Sequence, residues 1–297
     1  IVVCTTPPLL LTSSAVKIAR RKRARLVLDV RDIWPDVAYE MGSFAPASLY
    51  GRFFEHVARK AYTAAGLVVS VSPGKVEKLS ERVPNGRVAL VPNGIDEAFL
   101  DNEEDFALAG RLRLNDGSIC VYVGNIGLAQ GLGTLLDIAS ARPGTRFLLF
   151  GDGADKARLE NQAKASGISN VEFCGTIDER GVYTVLRHAA VSYVPLVSSR
   201  LRDSIPTKMY EALACGCPVM LAAEGDAADL VDECGLGVHA APENPTALLA
   251  ALDQLVELPY SDEERAAASA WVLENHSRQR FAKTFAEEIG RMKGHHA

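Results

Sequence analysis

Short runs of β-branched and apolar residues alternate with helical stretches along the whole chain of 297 residues, and this alternation constrains the fold more than any other feature. Ten of these runs are predicted to be strands, at 1–4, 25–30, 66–72, 88–91, 120–124, 146–151, 171–175, 191–196, 218–222 and 237–241. The predicted helices lie at 8–23, 48–64, 74–82, 131–141, 155–165, 179–188, 207–214, 227–232 and 245–256. Apolar strands separated by helices are typical of parallel sheets covered on both faces, so an α/β fold is predicted.

The strand pattern is interrupted once, and the interruption divides the chain in two. The sequence VPNGID at 91–96 contains the turn dipeptide Asn93-Gly94, and no strand can be placed in the acidic stretch that follows it. We therefore predict a first domain at 1–97, a linker at 98–117 and a second domain at 118–276. Four strands are few for a doubly wound domain, so we expect the first domain to lack its N-terminal βα units.

Charge is distributed unevenly between the two halves. Residues 1–100 contain 14 Lys and Arg against 9 Asp and Glu, whereas residues 101–297 contain 18 against 28. Much of the basic excess lies in one run, made of Arg20, Arg21, Lys22, Arg23 and Arg25. Such a run is either a solvated helix end or a patch that faces phosphates or an anionic membrane. The net charge of −5 and the aromatic content of 7% argue against nucleic-acid binding.

The six cysteines and the hydropathy pattern bear on the compartment. No two cysteines form a CxxC pair, and most lie in apolar surroundings, so we expect buried free thiols in a reducing cytoplasm. No apolar run approaches about 18 residues, so no membrane-spanning helix is predicted.

Glycines follow three strands of the predicted second domain, at the edge where open α/β sheets bind ligands. Gly124, Gly127 and Gly131 follow strand 120–124 and precede a helix, so backbone N–H groups and the helix dipole favour an anion there. The spacing is not GxGxxG, and no acidic residue ends the next strand, which disfavours a nicotinamide cofactor. Gly151-Asp152-Gly153 and Cys174-Gly175-Thr176 fit either a close approach to a flat ligand or ordinary turns.

The loop RLRDSIPTKMYEALACGCPV at 200–219 contains a second candidate site. Pro206 precedes the predicted helix at 207–214, and Lys208 and Glu211, three residues apart, are predicted to share one helix face in its first turn. A cation and a carboxylate at the end of a sheet strand suit a phosphate and a diol, respectively. The same spacing is also that of a surface ion pair, so both interpretations stay open at this point.

Several segments together resemble the retaining, nucleotide-sugar-dependent glycosyltransferases of family four. They are VPNGID, GDG at 151–153, VEFCG at 171–175, and Asp203 followed after seven residues by Glu211 and then by CGCPV. RDIWPD at 31–36, GNIGLAQG at 124–131 and IPTK at 205–208 further resemble the subgroup that builds O-antigen, capsule and exopolysaccharide repeat units. The resemblance implies the GT-B fold, in which two Rossmann-like parallel-sheet domains face a cleft, and a terminal helix at 277–297 that crosses back to the first domain.

The resemblance also implies roles for individual residues. Glu211 would hold the ribose hydroxyls of the donor, and Asp203 would face the sugar ring. Asp32 would lie on the acceptor side. Further donor contacts are implied around the diphosphate and the base, at Gly124, Asn125, Gly127, Gln130, Gly151, Asp152, Cys174, Gly175, Thr176, Ile177, Arg202 and Thr207.

Three positions depart from the family pattern. Asp203 stands where Glu is usual and is one methylene shorter. Gln130 stands where a basic residue is usual, so Lys208, with Arg200 or Arg202, would supply the charge that faces the diphosphate. Arg31 stands where many members have His, so no imidazole is available at that position.

The activity implied is transfer of a sugar from a nucleotide sugar, with UDP expected, to a lipid-linked or glycan acceptor in cell-surface polysaccharide biosynthesis. The leaving diphosphate would deprotonate the acceptor, and the absence of Asp-x-Asp from the sequence agrees with a site that uses no metal and no cofactor. One alternative is a nucleotide-sugar 2-epimerase of the same fold, although His188 and His239 lie on or near apolar segments, as structural histidines do. The other is a non-catalytic nucleotide-sugar-binding protein. The expected location is the cytoplasm, with peripheral attachment to the inner face of the plasma membrane through the run at 20–25.

Overall fold

The computed structural model describes residues 1–83, 86–242 and 244–293. Its strands are β1 (Val2–Thr6), β2 (Leu26–Val30), β3 (Leu67–Ser70), β4 (Arg87–Leu90), β5 (Ser118–Val123), β6 (Thr145–Phe150), β7 (Val171–Gly175), β8 (Val191–Pro195), β9 (Val219–Ala222) and β10 (Gly237–Ala240). Its helices are α1 (Leu11–Lys22), α2 (Asp36–Glu40), α3 (Leu49–Ala64), α4 (Pro73–Ser80), α5 (Phe106–Leu112), α6 (Gly133–Ala141), α7 (Lys156–Ala165), α8 (Glu179–His188), α9 (Thr207–Ala214), α10 (Asp226–Cys234), α11 (Pro245–Glu257), α12 (Asp262–Asn275) and α13 (Arg278–Lys293). Two short 3₁₀ helices lie at Glu97–Asp101 and Leu128–Gln130. All ten predicted strands are present, and the predicted α/β class is confirmed.

The chain forms two compact units, each built from more than one stretch of sequence. Unit 1 consists of Ile1–Asn93, the short segment Asp203–Ile205 and the terminal segment that begins at Arg278. Unit 2 consists of Gly94–Arg202 and Pro206–Ser277. The predicted terminal helix at 277–297 is observed as α13 in unit 1, and its last predicted residues, 294–297, lie outside the described residues.

Unit 1 contains a four-stranded parallel sheet with the strand order β1-β2-β3-β4. Its central strands are apolar on both faces, as expected for a parallel sheet. One face carries Leu26, Leu28 and Val30 and packs against apolar residues of α1 and α3. The other face carries Val27, Leu67 and Val69 and packs against Phe285, Ile289 and Met292 of α13. Since successive side chains of a strand point to opposite faces, the two helix layers follow directly from the sequence of these strands.

Unit 2 contains a six-stranded parallel sheet with the order β10-β9-β8-β5-β6-β7. The chain winds outward from β5 to β7 in one direction and from β8 to β10 in the other. The direction reverses between β5 and β8, which pair through Cys120 with Val191 and Val121 with Ser192. Such a reversal opens a crevice at the carboxyl ends of the two strands, where α/β proteins bind their ligands.

The segment at 98–117, predicted as a linker, is instead part of unit 2 and is partly helical. Helix α5 begins after Asp105, whose carboxylate accepts a hydrogen bond from the backbone N–H of Leu108 at 2.9 Å. Leu108 and Ala109 are buried. The prediction that this stretch contains no strand is correct, but its helix N-cap was not recognised.

Helix α12 is absent from the sequence prediction. Ser261 and Glu264 form a capping box, in which the Ser261 side chain accepts from the Glu264 N–H and the Glu264 carboxylate accepts from the Ser261 N–H. The S-x-x-E signature was therefore available in the sequence. The alanine-rich helix that follows lacks a strong apolar stripe, which explains why periodicity alone did not indicate it.

Candidate functional site

The loops at the carboxyl ends of β5, β6 and β7 in unit 2 enclose a cavity of about 370 Å³. A cavity of this size is within the range of small-molecule pockets. Six of the predicted donor-site residues line it, together with Val123 and Phe150; the six are Gly124, Asn125, Gly151, Asp152, Thr176 and Ile177. The structure therefore brings together residues that are up to 53 positions apart in the sequence.

Two glycines allow these loops to approach one another. Gly151 has φ +140°, and a Cβ atom at this position would lie 1.8 Å from the carbonyl oxygen of Gly124. Gly124 has φ +146°, and a Cβ atom there would lie 3.0 Å from Nζ of Lys208. A side chain at position 151 would force the two loops apart, so glycine is required there for their close packing. At position 124 the lysine could shift, and glycine is favoured by the positive φ.

Backbone hydrogen bonds hold the loops in place. The N–H of Ile126 donates to the carbonyl of Asp152 at 2.8 Å, and the N–H of Asp155 donates to the carbonyl of Ile126 at 3.0 Å. The N–H of Gly151 donates to the carbonyl of Gly175 at 2.8 Å. These hydrogen bonds connect the three loops that follow β5, β6 and β7 to one another.

Lys208 extends from the first turn of α9 to the loop at 124–131 after β5, which we call the glycine loop. Its ammonium group lies 4.1 Å from the centroid of the Tyr122 ring, a cation–π contact. Burial lowers the pKa of Lys208 to about 8, and the negative charge of Glu211 opposes this shift only in part. Among the described residues Lys208 makes no ion pair, so its charge is available to an anion at the glycine loop.

Thr207 and Glu211 are the other predicted site residues on α9. Thr207 is the first residue of the helix and is exposed. Glu211 is half-buried and lies in the second turn rather than the first, where the sequence placed it. It remains on the same helix face as Lys208, because residues three apart are neighbours on a helix surface.

Gln130 and Asn125 lie beside each other at the glycine loop. The Asn125 Nδ2 atom is 3.5 Å from the Gln130 Oε1 atom, and both atoms are within 3 Å of the point where a Cβ of Gly127 would be. The predicted helix start near Gly131 is a 3₁₀ turn, Leu128–Gln130, and α6 begins only at Gly133. Amides rather than cations therefore lie at this side of the loop, whereas the ammonium group of Lys208 lies beside Gly124.

The carboxylate of Asp203, predicted to face the donor sugar, is instead held by two lysines in unit 1. Its oxygens lie 3.4 Å from Lys75 Nζ and 2.7 Å from Lys78 Nζ. The backbone carbonyl of Asp203 accepts further hydrogen bonds from Lys75 Nζ and the Ser72 hydroxyl, both at 2.6 Å. Burial alone would raise the pKa of Asp203, but the two lysines outweigh it and hold the pKa below its usual range.

Other predicted site residues lie outside the cavity lining. Arg202 is exposed and pairs with Glu224 at 3.0 Å, so its charge is already partnered. Asp32 lies in unit 1, two residues beyond β2, and is half-buried. Cys174 and Gly175 end β7 next to the lining residue Thr176, and burial raises the pKa of the Cys174 thiol to about 11.

The two histidines considered for a 2-epimerase contact other polar side chains. His188 contacts Asn115 at 2.9 Å and Glu104 at 3.2 Å, and His239 contacts Asp232 at 3.4 Å; neither histidine lines the cavity. All six cysteines are free thiols. In the described ranges no three His, Cys, Asp or Glu side chains are grouped as a metal ion would require. None of the helices in these ranges has the length and apolar character needed to cross a bilayer.

Tyr122 and the Lys75–Lys78 pair were not found by sequence reasoning. Tyr122 lies two residues before Gly124 on a buried strand, and the polar tip of a tyrosine in such a strand was the available signal. Its hydroxyl donates to the carbonyl of Asn125 at 2.5 Å and so helps to shape the glycine loop. No local signal indicated Lys75, because its partner Asp203 is 128 residues away.

Comparison with known proteins gives two family matches and several relatives. Residues 107–271 match the family Glycosyl transferases group 1, and residues 1–94 match the Glycosyl transferase 4-like domain. The chain is 28% identical to the putative colanic acid biosynthesis glycosyl transferase WcaI of Escherichia coli, over 82% of the chain and 62% of that protein. It is 23% identical to the probable glycosyltransferase WbjE of Pseudomonas aeruginosa, over 79% of the chain and 60% of that protein. The chain thus spans about three-fifths of the length of these relatives.

Solved structures share its fold at low sequence identity. HepE of Anabaena, crystallised with UDP, superimposes with a TM-score of 0.79 at 17% identity, over 97% of this chain and 78% of HepE. Sucrose-phosphate synthase of Thermosynechococcus elongatus gives a TM-score of 0.77 at 21% identity, over 94% of this chain and 71% of that enzyme. At such identities the likeness shows the fold, and the predicted GT-B fold is confirmed.

Proposed function

The chain belongs to the family Glycosyl transferases group 1, as its motifs predict, and we propose that it transfers a sugar from a nucleotide sugar to a glycan or lipid-linked acceptor with retention of anomeric configuration. The donor would bind in unit 2, at the crevice between β5 and β8. The name of WcaI, a putative colanic acid biosynthesis glycosyl transferase, supports a role in glycan biosynthesis.

The observation that carries this proposal is the half-buried Lys208, whose ammonium group lies beside the glycine loop. A cation with no carboxylate partner in the described residues, next to backbone that no Cβ obstructs, is suited to the diphosphate of a nucleotide. In this proposal Lys208 supplies the charge that Gln130 does not. Glu211, on the same face of α9, would accept hydrogen bonds from the ribose hydroxyls.

A UDP-linked donor is the form we propose. HepE, which has the same fold, was crystallised with UDP and with UDP-glucose. The cavity between the loops after β5, β6 and β7 is large enough for a base and its ribose, and Thr176 and Ile177 at its rim would lie beside the base.

The proposed reaction needs no nucleophile from the protein. The bond from the anomeric carbon to the leaving phosphate oxygen breaks, and the acceptor hydroxyl forms its new bond on the same face of the sugar. The acceptor proton passes to the departing diphosphate. The protein then contributes positioning, and it stabilises the charge that develops on the diphosphate through Lys208 and backbone N–H groups.

Three residues have narrower roles in this proposal. Lys208 takes the place of a metal ion, so the reaction is proposed to be metal-independent and to use no cofactor. Asp32 is proposed to lie on the acceptor side. Asp203, whose carboxylate is paired with Lys75 and Lys78, is assigned no contact with the donor.

Calorimetry with two variants and two ligands tests the donor site. Lys208→Ala should weaken UDP binding by about 1.5–3 kcal/mol and leave uridine binding nearly unchanged, because only UDP carries the diphosphate. Glu211→Gln should weaken both ligands by a similar amount, because both contain the ribose diol. Lys164→Ala, which removes an exposed lysine from the last turn of α7, is the matched control and should change neither affinity.

The pattern of losses decides between interpretations. Equal losses of both ligands in both variants would indicate that α9 is disrupted, and unchanged affinities would mean that neither Lys208 nor Glu211 contacts the nucleotide. A transfer and hydrolysis assay with UDP-sugars, followed by analysis of the released sugar, then separates transferase, 2-epimerase and a protein that only binds the nucleotide sugar.

A further inference from the structure

Exposed apolar side chains are concentrated in unit 1. Ten of the thirteen large apolar residues found exposed in the described ranges belong to this unit, although it is the smaller of the two. Five of the ten project from α1 and α3: Leu11, Ile18, Leu49, Tyr50 and Phe53. Three of them, Leu49, Tyr50 and Phe53, are close neighbours at the start of α3, and a cluster of exposed apolar residues can mark a binding surface.

The two helices present one common surface. Both pack on the same face of the sheet, through Ala15, Val16 and Ala19 of α1 and Val57, Ala58 and Ala61 of α3. Their opposite sides are exposed, and we call this surface, formed by residues 11–25 and 49–63, the α1/α3 face. On α3 the exposed residues 49, 53, 56 and 60 follow helical spacing, so they lie in one row.

The apolar part of the α1/α3 face is preorganised. Leu49, Tyr50 and Phe53 are 84%, 71% and 53% exposed, in the first two turns of α3. Phe53 packs edge-on against Phe54 at 5.4 Å, and Phe44 stacks on Phe54 at 5.7 Å and contacts Tyr50 at 6.5 Å. The exposed rings are thus supported from below by other rings, so little conformational freedom remains to be lost when they bind.

The charged part of the same face is almost entirely basic. The helices and the residues that follow α1 carry nine Lys and Arg against the single acid Glu55, with most of the cations in the C-terminal halves: Lys17, Arg20, Arg21, Lys22, Arg23, Arg25, Arg52, Arg59 and Lys60. None of these nine has an ion-pair partner among the described residues. The complement of such a face is a surface that is both anionic and able to receive apolar side chains.

We propose that the α1/α3 face docks on an anionic lipid bilayer. Leu49, Tyr50 and Phe53 would enter the boundary between headgroups and acyl chains, and the basic halves of the helices would lie on the headgroups. A nucleic acid would not account for the exposed apolar residues. The inference rests on the proposed function in one respect, since a lipid-linked acceptor is presented at such a surface.

Vesicle sedimentation tests this inference without any transfer reaction. The whole chain should bind vesicles that contain phosphatidylglycerol in phosphatidylcholine, and high salt should weaken the binding. Leu49→Ser/Tyr50→Ser/Phe53→Ser should lower the partition coefficient at least tenfold. Arg20→Gln/Arg21→Gln/Lys22→Gln/Arg23→Gln should also lower it and reduce the salt dependence, because it removes four of the nine cations. Phe106→Ser/Leu258→Ser, which changes two equally exposed apolar residues of unit 2, should have no effect.

Three outcomes would overturn the inference. One is equal binding of the unchanged chain to anionic and neutral vesicles, or no binding to either. Another is an equal loss in the control variant. The third is a dimer, seen by light scattering, that the triple variant dissociates while vesicle binding persists, because a second copy would then cover this face. UDP affinity in solution should be unchanged in the triple variant, and vesicle binding should be unchanged in Lys208→Ala, so failure of one proposal is distinguishable from failure of the other.

Discussion

Two lysines, the buried Lys75 of unit 1 and the half-buried Lys208 of unit 2, are held in opposite ways. Lys75 is only 3% exposed, and its ammonium group bonds to the Asp203 carbonyl, the Asp203 carboxylate and the Ser204 hydroxyl. Lys208 instead rests on the Tyr122 ring, and in the described part of the chain it makes no ion pair. One ammonium group is saturated with oxygen acceptors, and the other faces a ring and a glycine loop.

The difference teaches which of two similar residues is available to a ligand. The bonds of Lys75 compensate for its lost hydration, so this lysine contributes to the fold. The contact of Lys208 with a ring compensates only in part, and burial accordingly lowers its pKa to about 8. A lysine with a lowered pKa favours an anionic ligand, because the anion stabilises the protonated form. Residues with strongly shifted pKa values are concentrated at functional sites.

Removing Lys75 should have the largest effect. Lys75→Met keeps the volume of the side chain but leaves the buried Asp203 with Lys78 alone, so the free energy of unfolding should fall by about 3 kcal/mol. Urea unfolding measures the change. A loss below about 1 kcal/mol would mean that Lys75 is not structural, and the contrast with Lys208 would fail.

Raising the pH should weaken UDP binding by up to about tenfold per unit above the pKa of Lys208, which is about 8. In the free protein Lys208 loses its proton as the pH rises through that value, and binding of the diphosphate must then restore it. Titration calorimetry between pH 7 and 9.5 measures this trend. Uridine with the unchanged chain, and UDP with Lys208→Met, should both give affinities that vary little with pH.

Lys208→Met should stabilise the protein at pH 7, by on the order of 1 kcal/mol, in contrast to the loss expected for Lys75→Met. The folded-state pKa of Lys208, about 8, lies below the ordinary value of 10.5, so burying the charged form costs stability below pH 8. Between pH 8 and 10.5 the unfolded chain binds the extra proton, and the stability of the unchanged protein rises with pH. The advantage of the variant should therefore shrink over that interval in thermal or urea unfolding. Destabilisation at pH 7 would indicate that the contact with Tyr122 is a structural one.

The smallest effect is expected for Lys78→Met. The Lys78 side chain is 40% exposed although its ammonium group lies 2.7 Å from Asp203, so water screens the pair and replaces part of its energy. Urea unfolding should show a loss of less than about 1 kcal/mol. A loss equal to that of Lys75→Met would mean that both lysines, and not Lys75 alone, stabilise the buried Asp203.

The sequence predicted local features more successfully than long-range ones. The bounds of β7 and α9 were predicted to the residue, since β-branched runs and a Pro before a helix are local signals. The glycines after β5 and β6 were found for the same reason. The signal for α12 is also local, since the capping box at Ser261 marks its start, but apolar periodicity alone does not predict this helix.

The site was predicted where strand ends determine it and missed where side chains from distant segments meet. That Lys208 lies near the glycine loop followed from the edge of the sheet on which both lie. That it rests on Tyr122 did not follow, because alternation shows that a strand residue is buried without showing which side chain covers it. Asp203 can pair with Lys75 because the segment Asp203–Ile205 belongs to unit 1. No sequence pattern near either residue predicts this.

Because helix α13 belongs to unit 1 but lies at the end of the chain, the residues of unit 1 are synthesised both before and after unit 2. The α13 residues Phe285, Ile289 and Met292 cover Val27, Leu67 and Val69, but the ribosome makes the first of them, Phe285, 195 residues after Leu90, the end of β4. At translation speeds of roughly 5–20 residues per second, one apolar face of the nascent sheet stays open for about 10–40 s while unit 2 is synthesised. Folding of the first-made unit is therefore completed last, and during synthesis its open face is a natural target for a chaperone.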